Sequence, residues 1–154
     1  MGYRAILEAN AETVQDLELS AWRRLGEAIA LCRERKYHTA IYLAGLSAEM
    51  YLKTACFTVD GAKPGDPIWP HLAKSAPNPK LRHNLWFWCQ QLIVLRRHYG
   101  LASVPSRFRR LIVEVYMDWF NEMRYRPGSA TESDAAQFII RVEWLANNHA
   151  ALRR

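Results

Sequence analysis

Several common signatures of chemistry are missing from this chain of 154 residues. Its seven glycines are scattered and form no phosphate-binding loop (G-x-x-x-x-G-K-[ST]), no G-x-G-x-x-G dinucleotide motif and no G-x-S-x-G nucleophile elbow. The three cysteines, Cys32, Cys56 and Cys89, are far apart, and no two histidines are four positions apart. We therefore expect no metal site and no cofactor, and we expect the cysteines to be buried free thiols.

Long hydrophobic runs are also missing. No apolar run approaches the ~20 residues that a membrane-spanning helix needs. The first residues, MGYRAILEANAETVQD, contain no signal-peptide core before acidic residues appear, and MGYRAI lacks the Ser or Thr of a myristoylation signal. A cytoplasmic location is therefore expected. Half of the chain is hydrophobic, which suits one folded domain over residues 1–154.

The net charge of +6 is placed unevenly along the chain. Residues 1–77 contain nine basic and nine acidic side chains, whereas residues 78–154 contain twelve basic and six acidic ones. Eleven of those twelve basic residues are arginine. Arginine favours bidentate contacts with phosphate and stacks on bases, so this half of the chain favours contact with nucleic acid or a nucleotide. Solvated helix faces and subunit interfaces are the alternative explanation.

Helical periodicity dominates the sequence, and no strand-like alternation of useful length occurs. The pattern predicts an all-α, up-and-down bundle of about five helices. A break at about residues 58–82 contains five of the seven prolines, and within it the stretch IWPHLAK suggests a short helical turn. The predicted helices cover about residues 12–35, 37–57, 84–100 and 105–123, and a fifth begins near residue 131.

Three segments, in this order along the chain, resemble the HEPN domain family (higher eukaryotes and prokaryotes nucleotide-binding domain). RERKYHTAIYLAGLSAEMYLKTACF resembles the first-to-second-helix segment of that family and contains an E-x-x-L-K-like signature from Glu49 to Lys53. RHNLWFW is similar to the H-[ND]-L start of a later HEPN helix. MRYRP, followed by a helix with an acidic start, is similar to the family's Arg-Tyr before its last helix. The resemblance covers about residues 15–154.

The resemblance implies a helical bundle that is usually a homodimer and binds nucleotides or RNA. Many members pair with a minimal nucleotidyltransferase in toxin–antitoxin operons, and a large subset are metal-independent ribonucleases with an R-x(4–6)-H motif. In that motif the imidazole moves protons while the arginine stabilises phosphate charge. Here no histidine follows Arg124 before His149, so the motif is absent there. Arg33 and His38 match its spacing, but at the first helix junction, where the family does not place its site.

The candidate site residues fall into three groups, each with a structural alternative. Arg124, Tyr125 and Arg126 precede a helix N-terminus, which attracts phosphate, but Arg124 also has Asp118, Glu122 and Asp134 as candidate ion-pair partners. Glu49 and Lys53 have the favourable i,i+4 order, which indicates either an internal ion pair or the lining of a pocket. His83 and Asn84 either contact the ligand or, in the case of Asn84, cap the third predicted helix.

Two further surfaces are predicted from side chains that fall off the apolar stripes of their helices. Arg107, Arg109 and Arg110 form a small basic patch near the start of the fourth predicted helix. Trp86 and Phe87 indicate either a dimer interface or contact with the proline-rich break.

The function expected from the sequence is a HEPN-like subunit without a catalytic residue set. It would bind a nucleotide, RNA or a partner protein, and it would belong to a toxin–antitoxin or defence pair with a nucleotidyltransferase. One alternative is a ribonuclease toxin that recruits Arg124, Tyr125 or His83 across a dimer. The other is a module for protein–protein contact, whose arginines meet an acidic partner.

Overall fold

The computed structural model describes residues 12–120, 123 and 128–154, and within these ranges the chain is all-α, as predicted. No strand occurs in these ranges, and one isolated bridge pairs Thr13 with Pro67. Among the helices described, none combines the length and the apolar character that a bilayer span requires. The helices are α1 (Val14–Arg33), α2 (Tyr37–Val59), α3 (Ile68–Ser75), α4 (Leu85–His98), α5 (Ser106–Asp118) and α6 (Glu132–Leu152), with a 3-10 turn at Pro79–Leu81.

The helix ends are set by local side-chain chemistry. Thr131 and Asp134 form the predicted capping box at the start of α6, and Thr13 and Asp16 form a second one at the start of α1. Asn84 caps α4, because its side-chain oxygen accepts a hydrogen bond from the Phe87 amide at 2.9 Å. Gly100 follows α4 with a φ of +67°, a conformation that favours glycine and ends the helix as predicted.

Helix α2 is the centre of the bundle and packs against α1, α4 and α6. Small residues let the neighbouring helices approach closely: Ser47 donates a hydrogen bond to the Ala21 carbonyl of α1 at 2.7 Å. Contacts of Tyr37 with Glu132 and of Tyr51 with His149 show that α2 and α6 run in the same direction. The hydrophobic core therefore surrounds α2, and polar side chains in α2 need internal partners.

The proline-rich connection begins at Asp60 rather than at residue 58, and it contains the expected helical turn as helix α3. Backbone hydrogen bonds tie it to the start of α1: the Val14 amide donates to the Asp66 carbonyl at 3.0 Å, and the Ile68 amide donates to the Glu12 carbonyl at 2.9 Å. Lys74 of α3 also donates to the Asp60 carboxylate at 2.6 Å. The connection is thus fixed against the bundle by its own main chain.

Helix α5 ends at Asp118, five residues before the predicted end at Met123. The next residue, Trp119, has an extended backbone (φ −131°, ψ 137°), which turns its side chain into the core. Its indole Nε1 donates to the Tyr42 carbonyl at 3.1 Å, and the ring fills the space beside Gly45. The apolar residues keep their helical spacing past Asp118, but the chain leaves the helix at that point. The extended backbone of Trp119 is what buries its indole.

Candidate functional site

The Glu49–Lys53 pair lies inside the bundle on α2. Lys53 Nζ donates to Glu49 Oε1 at 2.5 Å, and the two side chains are 11% and 5% exposed, Lys53 being the more exposed. Lys53 Nζ also lies 5.7 Å from the centre of the Trp88 ring. A charge with so little access to water requires a partner, and each of these two supplies one for the other. The predicted internal ion pair is therefore present.

His83 extends this pair towards the surface. Its Nδ1 lies 3.1 Å from Oε1 and 3.3 Å from Oε2 of Glu49, and its side chain is 54% exposed. An ionised carboxylate only accepts hydrogen bonds, so Nδ1 donates, and in the neutral ring Nε2 carries the lone pair. We call Glu49, Lys53 and His83 the His83 cluster. In this cluster a buried charge pair is hydrogen-bonded to an exposed imidazole and fixes its orientation.

The segment that presents His83 is held by main-chain contacts on both sides. On one side, Asn78 caps the 3-10 turn by accepting a hydrogen bond from the Lys80 amide at 3.1 Å. On the other, the Trp88 indole donates to the Arg82 carbonyl at 3.0 Å, which fixes the residue before His83 to α4. Because Asn84 caps α4, its side-chain oxygen already has a structural role. The imidazole orientation is thus supported by the fold.

A cavity of about 410 Å³, the aromatic cavity, opens beside His83 between the start of α4 and the end of α5. Tyr116 and Phe120 line it and are 41% and 42% exposed as residues, and Lys80 adds an exposed positive charge. Partly exposed rings next to a cation are the groups on which proteins stack the bases of single-stranded nucleic acid. Helical periodicity assigns Tyr116 and Phe120 to the core, so the sequence pattern alone does not indicate this surface.

A second cavity of about 370 Å³, the corner cavity, lies where α2 and α6 begin and α5 ends. His38 lines it; its Nε2 lies 2.9 Å from the Met123 carbonyl oxygen, and its ring packs against Gly128. Arg33, which has the motif spacing to His38 in the sequence, does not line this cavity. His38 and Met123 are 85 residues apart in the chain. Residue spacing within one segment therefore does not predict their contact.

The predicted phosphate-binding residues Arg124, Tyr125 and Arg126 lie outside the described residues. Two of the acidic partners considered for Arg124 are engaged elsewhere. Asp118 accepts a hydrogen bond from Arg141 at 2.8 Å, and the Asp134 carboxylate accepts hydrogen bonds from the amide and hydroxyl of Thr131 at 2.8 and 2.7 Å. Those bonds lower the pKa of Asp134, the backbone contribution being the larger.

The three arginines of the predicted basic patch are exposed but lie in different surroundings. Arg107 lies over the ring of Trp144, with its guanidinium carbon 5.6 Å from the ring centre. Arg110 Nε lies 4.0 Å from Glu114 on the next helical turn. Arg109 lines a third cavity, between α4 and α5. The three arginines of the predicted basic patch thus have three different surroundings.

Trp86 and Phe87, the predicted dimer contacts, are half-buried and pack against the core of this chain. Hydrophobic side chains that are more exposed lie elsewhere, among them Trp22, Met117 and Ile140. The dimer interface at Trp86 and Phe87 stays a prediction.

Comparisons with protein-family models, curated proteins and solved structures gave no match for this chain. The HEPN resemblance therefore depends on the three sequence segments alone. In the described part of the chain, no three His, Cys, Asp or Glu side chains come together as candidate metal ligands.

Proposed function

We propose that this chain is a HEPN-like domain that binds single-stranded RNA, or a nucleotide derived from it, at the aromatic cavity. The observation that carries the proposal is the His83 cluster: a buried Glu49–Lys53 pair orients an exposed imidazole at the wall of that cavity. Tyr116 and Phe120 offer stacking surfaces, and Lys80 offers a charge for the phosphate backbone.

One feature of the sequence favours binding without cleavage. Cleavage through the ribose 2′-hydroxyl needs a group that moves protons and a cation that stabilises the extra phosphate charge. The described residues around the aromatic cavity supply one group of each kind, His83 and Lys80, so the chemistry of the lining does not separate the two functions. What favours binding is that the R-x(4–6)-H motif of the ribonucleases in the resembled family is absent after Arg124. An imidazole and a lysine that contact a base edge and a phosphate are sufficient for recognition.

The test measures binding of a labelled single-stranded RNA by fluorescence anisotropy at low and moderate salt. Replacing Tyr116 by Ala removes a stacking surface and is expected to weaken binding roughly tenfold, whereas Tyr116→Phe keeps the ring and binding close to wild type. Lys80→Gln is expected to weaken binding and to flatten its salt dependence. The exposed Lys63, which does not line the cavity, supplies the matched control Lys63→Gln. Equal effects of the two lysine variants would contradict a specific site.

The orientation of His83 favours a second candidate, a ribonuclease with a non-standard residue set. In a neutral ring whose Nδ1 donates to Glu49, Nε2 is available to accept a proton from a hydroxyl. The same RNA, followed by gel electrophoresis, tests it: cleavage that is lost in both His83→Gln and Arg124→Ala would favour the enzyme. Salt-sensitive retention of intact RNA supports the binding domain.

The resemblance adds two partners to the proposal, a second copy of the chain and a minimal nucleotidyltransferase. Light scattering during gel filtration tests the homodimer, and co-expression with a minimal nucleotidyltransferase tests the pair. If neither RNA nor a nucleotide binds, the protein–protein module becomes the better interpretation, and these two experiments test its two candidate partners.

A further inference from the structure

The third cavity has a volume of about 320 Å³ and lies where α4 ends and α5 begins. Arg96, Arg97 and Arg109 all line it, together with the hydroxyl-bearing Ser103. No acidic side chain is among the described residues that line it. Three guanidinium groups around one small space repel each other, and an anion in that space would relieve this repulsion.

Arg96 supplies a permanent charge to the wall of the cavity. Its side chain is buried, yet it forms no ion pair with a described carboxylate. Its Nε and Nη2 donate to the Ala102 carbonyl at 3.0 and 2.7 Å, and Nη1 donates to the Leu152 carbonyl at 2.5 Å. Carbonyl oxygens satisfy the N–H donors but do not cancel the charge. Burial lowers the pKa of Arg96, because removal from water disfavours the charged form.

Arg97 and Arg109 are exposed and face the same space from two helices, α4 and α5. Neither forms an ion pair with a described carboxylate, in contrast to Arg110 and Arg141, which both lie beside Glu114. Two exposed arginines that line one cavity from two helices can bind one tetrahedral anion by bidentate hydrogen bonds.

The start of α5 adds to the positive potential. Ser103 and Val104 line the cavity, and α5 begins two residues later at Ser106. Its N-cap is Pro105, which provides no side-chain hydrogen bond, and its first turn contains no acidic residue. Helices α1 and α6, by contrast, each begin with an aspartate in a capping box. The partial positive charge of the α5 N-terminus is thus left uncompensated beside three arginines.

We infer that this arginine cavity is an anion site that takes a phosphate group. Arg97, Arg109 and Ser103 donate hydrogen bonds to the phosphate oxygens, and Arg96 supplies a fixed charge behind them. The phosphate group has two sources, free phosphate and the backbone of RNA. The inference does not depend on the aromatic cavity, because the two sites lie at opposite ends of α4.

Isothermal titration of the full chain with inorganic phosphate at low salt tests the site. The double variant Arg97→Gln/Arg109→Gln is expected to weaken phosphate binding about tenfold or more, since each lost contact is a charge-assisted hydrogen bond. The matched control is Arg23→Gln/Arg24→Gln, which removes the same charge from exposed positions of α1 outside the cavity and is expected to change the affinity by no more than about twofold. Absence of phosphate binding by the wild-type chain up to roughly 10 mM, or equal losses in both double variants, would overturn the inference.

Competition between phosphate and labelled RNA identifies the source. If phosphate displaces the RNA, and the Arg97/Arg109 double variant weakens RNA binding as well, the cavity holds a backbone phosphate of the same RNA. If phosphate binds with the expected arginine dependence but RNA does not bind at all, the RNA proposal fails while the anion site stands. If RNA binding depends on Tyr116 but the wild-type chain takes up no phosphate, the aromatic site stands and the anion site fails.

Discussion

The carboxylate of Glu49 lies 3.1 Å from Nδ1 of His83, although the two residues are 34 positions apart. Glu49 is inside the bundle and His83 is at its surface. One carboxylate therefore serves both the stability of the core, through Lys53, and the orientation of a side chain at the aromatic cavity. Changes at Glu49 should be seen both in unfolding and in RNA binding, whereas changes at His83 should be seen mainly in binding.

Glu49→Leu is expected to lower the free energy of unfolding by about 3–5 kcal/mol, because it leaves the Lys53 charge buried without its partner. The double variant Glu49→Leu/Lys53→Met removes both charges and should recover much of that loss. Urea unfolding of the two variants provides the comparison. A double variant no more stable than Glu49→Leu would show that Lys53 is not left as an unpaired buried charge in the single variant.

Stability should fall in acid because of His149. The side chain is buried, its Nε2 has no partner among the described atoms, and burial lowers its pKa to about 4 from 6.5. Arg153 lowers that pKa further, whereas Glu18, whose carboxylate lies 3.6 Å from Nδ1, raises it. The Tyr51 ring, 4.9 Å away, packs against the imidazole.

Between a pKa of 6.5 in the unfolded chain and about 4 in the folded state, the folded state binds fewer protons than the unfolded chain. The contribution of His149 to the free energy of unfolding is therefore complete above about pH 6.5 and decreases as the pH falls to about 4. Its total is about 3 kcal/mol. His149→Phe keeps an aromatic ring and removes the titration. Urea unfolding at about pH 4.5 and about pH 7 should therefore show a smaller pH dependence for this variant. An unchanged pH dependence would assign the acid sensitivity to other groups.

Two glycines in helices should respond in opposite directions to alanine. A Cβ added at Gly45 would overlap the buried Trp119 indole, whereas one added at Gly26 would meet no atom within 4 Å. Gly45→Ala is expected to lower the free energy of unfolding by about 2–3 kcal/mol through overpacking. Gly26→Ala should raise it by up to about 1 kcal/mol, because alanine favours the helix. Thermal unfolding checks both, and a stable Gly45→Ala would show that the indole has room to move.

The three thiols should differ in their rates of reaction with a thiol reagent. Burial raises the pKa of Cys56 and raises that of Cys89 to about 12, and both side chains are inaccessible. Cys32 is only half-buried. We expect one thiol to react in the native protein and all three to react in urea. Mass spectrometry of the labelled peptides identifies the reactive cysteine, and rapid labelling of Cys56 or Cys89 without denaturant would contradict the packing around them.

Features encoded within one segment were predictable from the sequence. The five long helices, the Asn84 cap, the Thr131–Asp134 box and the Glu49–Lys53 pair follow from residue types at fixed spacing. The end of α5 did not follow, because Trp119 is buried by an extended backbone that periodicity cannot indicate. Three contacts depend on how the helices pack, so the spacing of residues within one segment does not predict them. They are the contact of His38 with Met123, the contact of His83 with Glu49, and the cavity that Arg109 shares with Arg96 and Arg97.

Among the described residues, Arg96 donates hydrogen bonds to main-chain oxygens, those of Ala102, Ala151 and Leu152, at two distant places in the chain. Every amino acid carries a carbonyl, so substitutions at 102 and 151 leave these contacts available whatever side chain is introduced. Position 96, in contrast, requires the planar fork of a guanidinium. In a saturation mutagenesis library selected for folding, we expect position 96 to reject even lysine, while positions 102 and 151, both exposed, accept many residues. Sequence variation at this junction should therefore be constrained at the donor, position 96, and at the buried Leu152, and free at the two exposed acceptor positions 102 and 151.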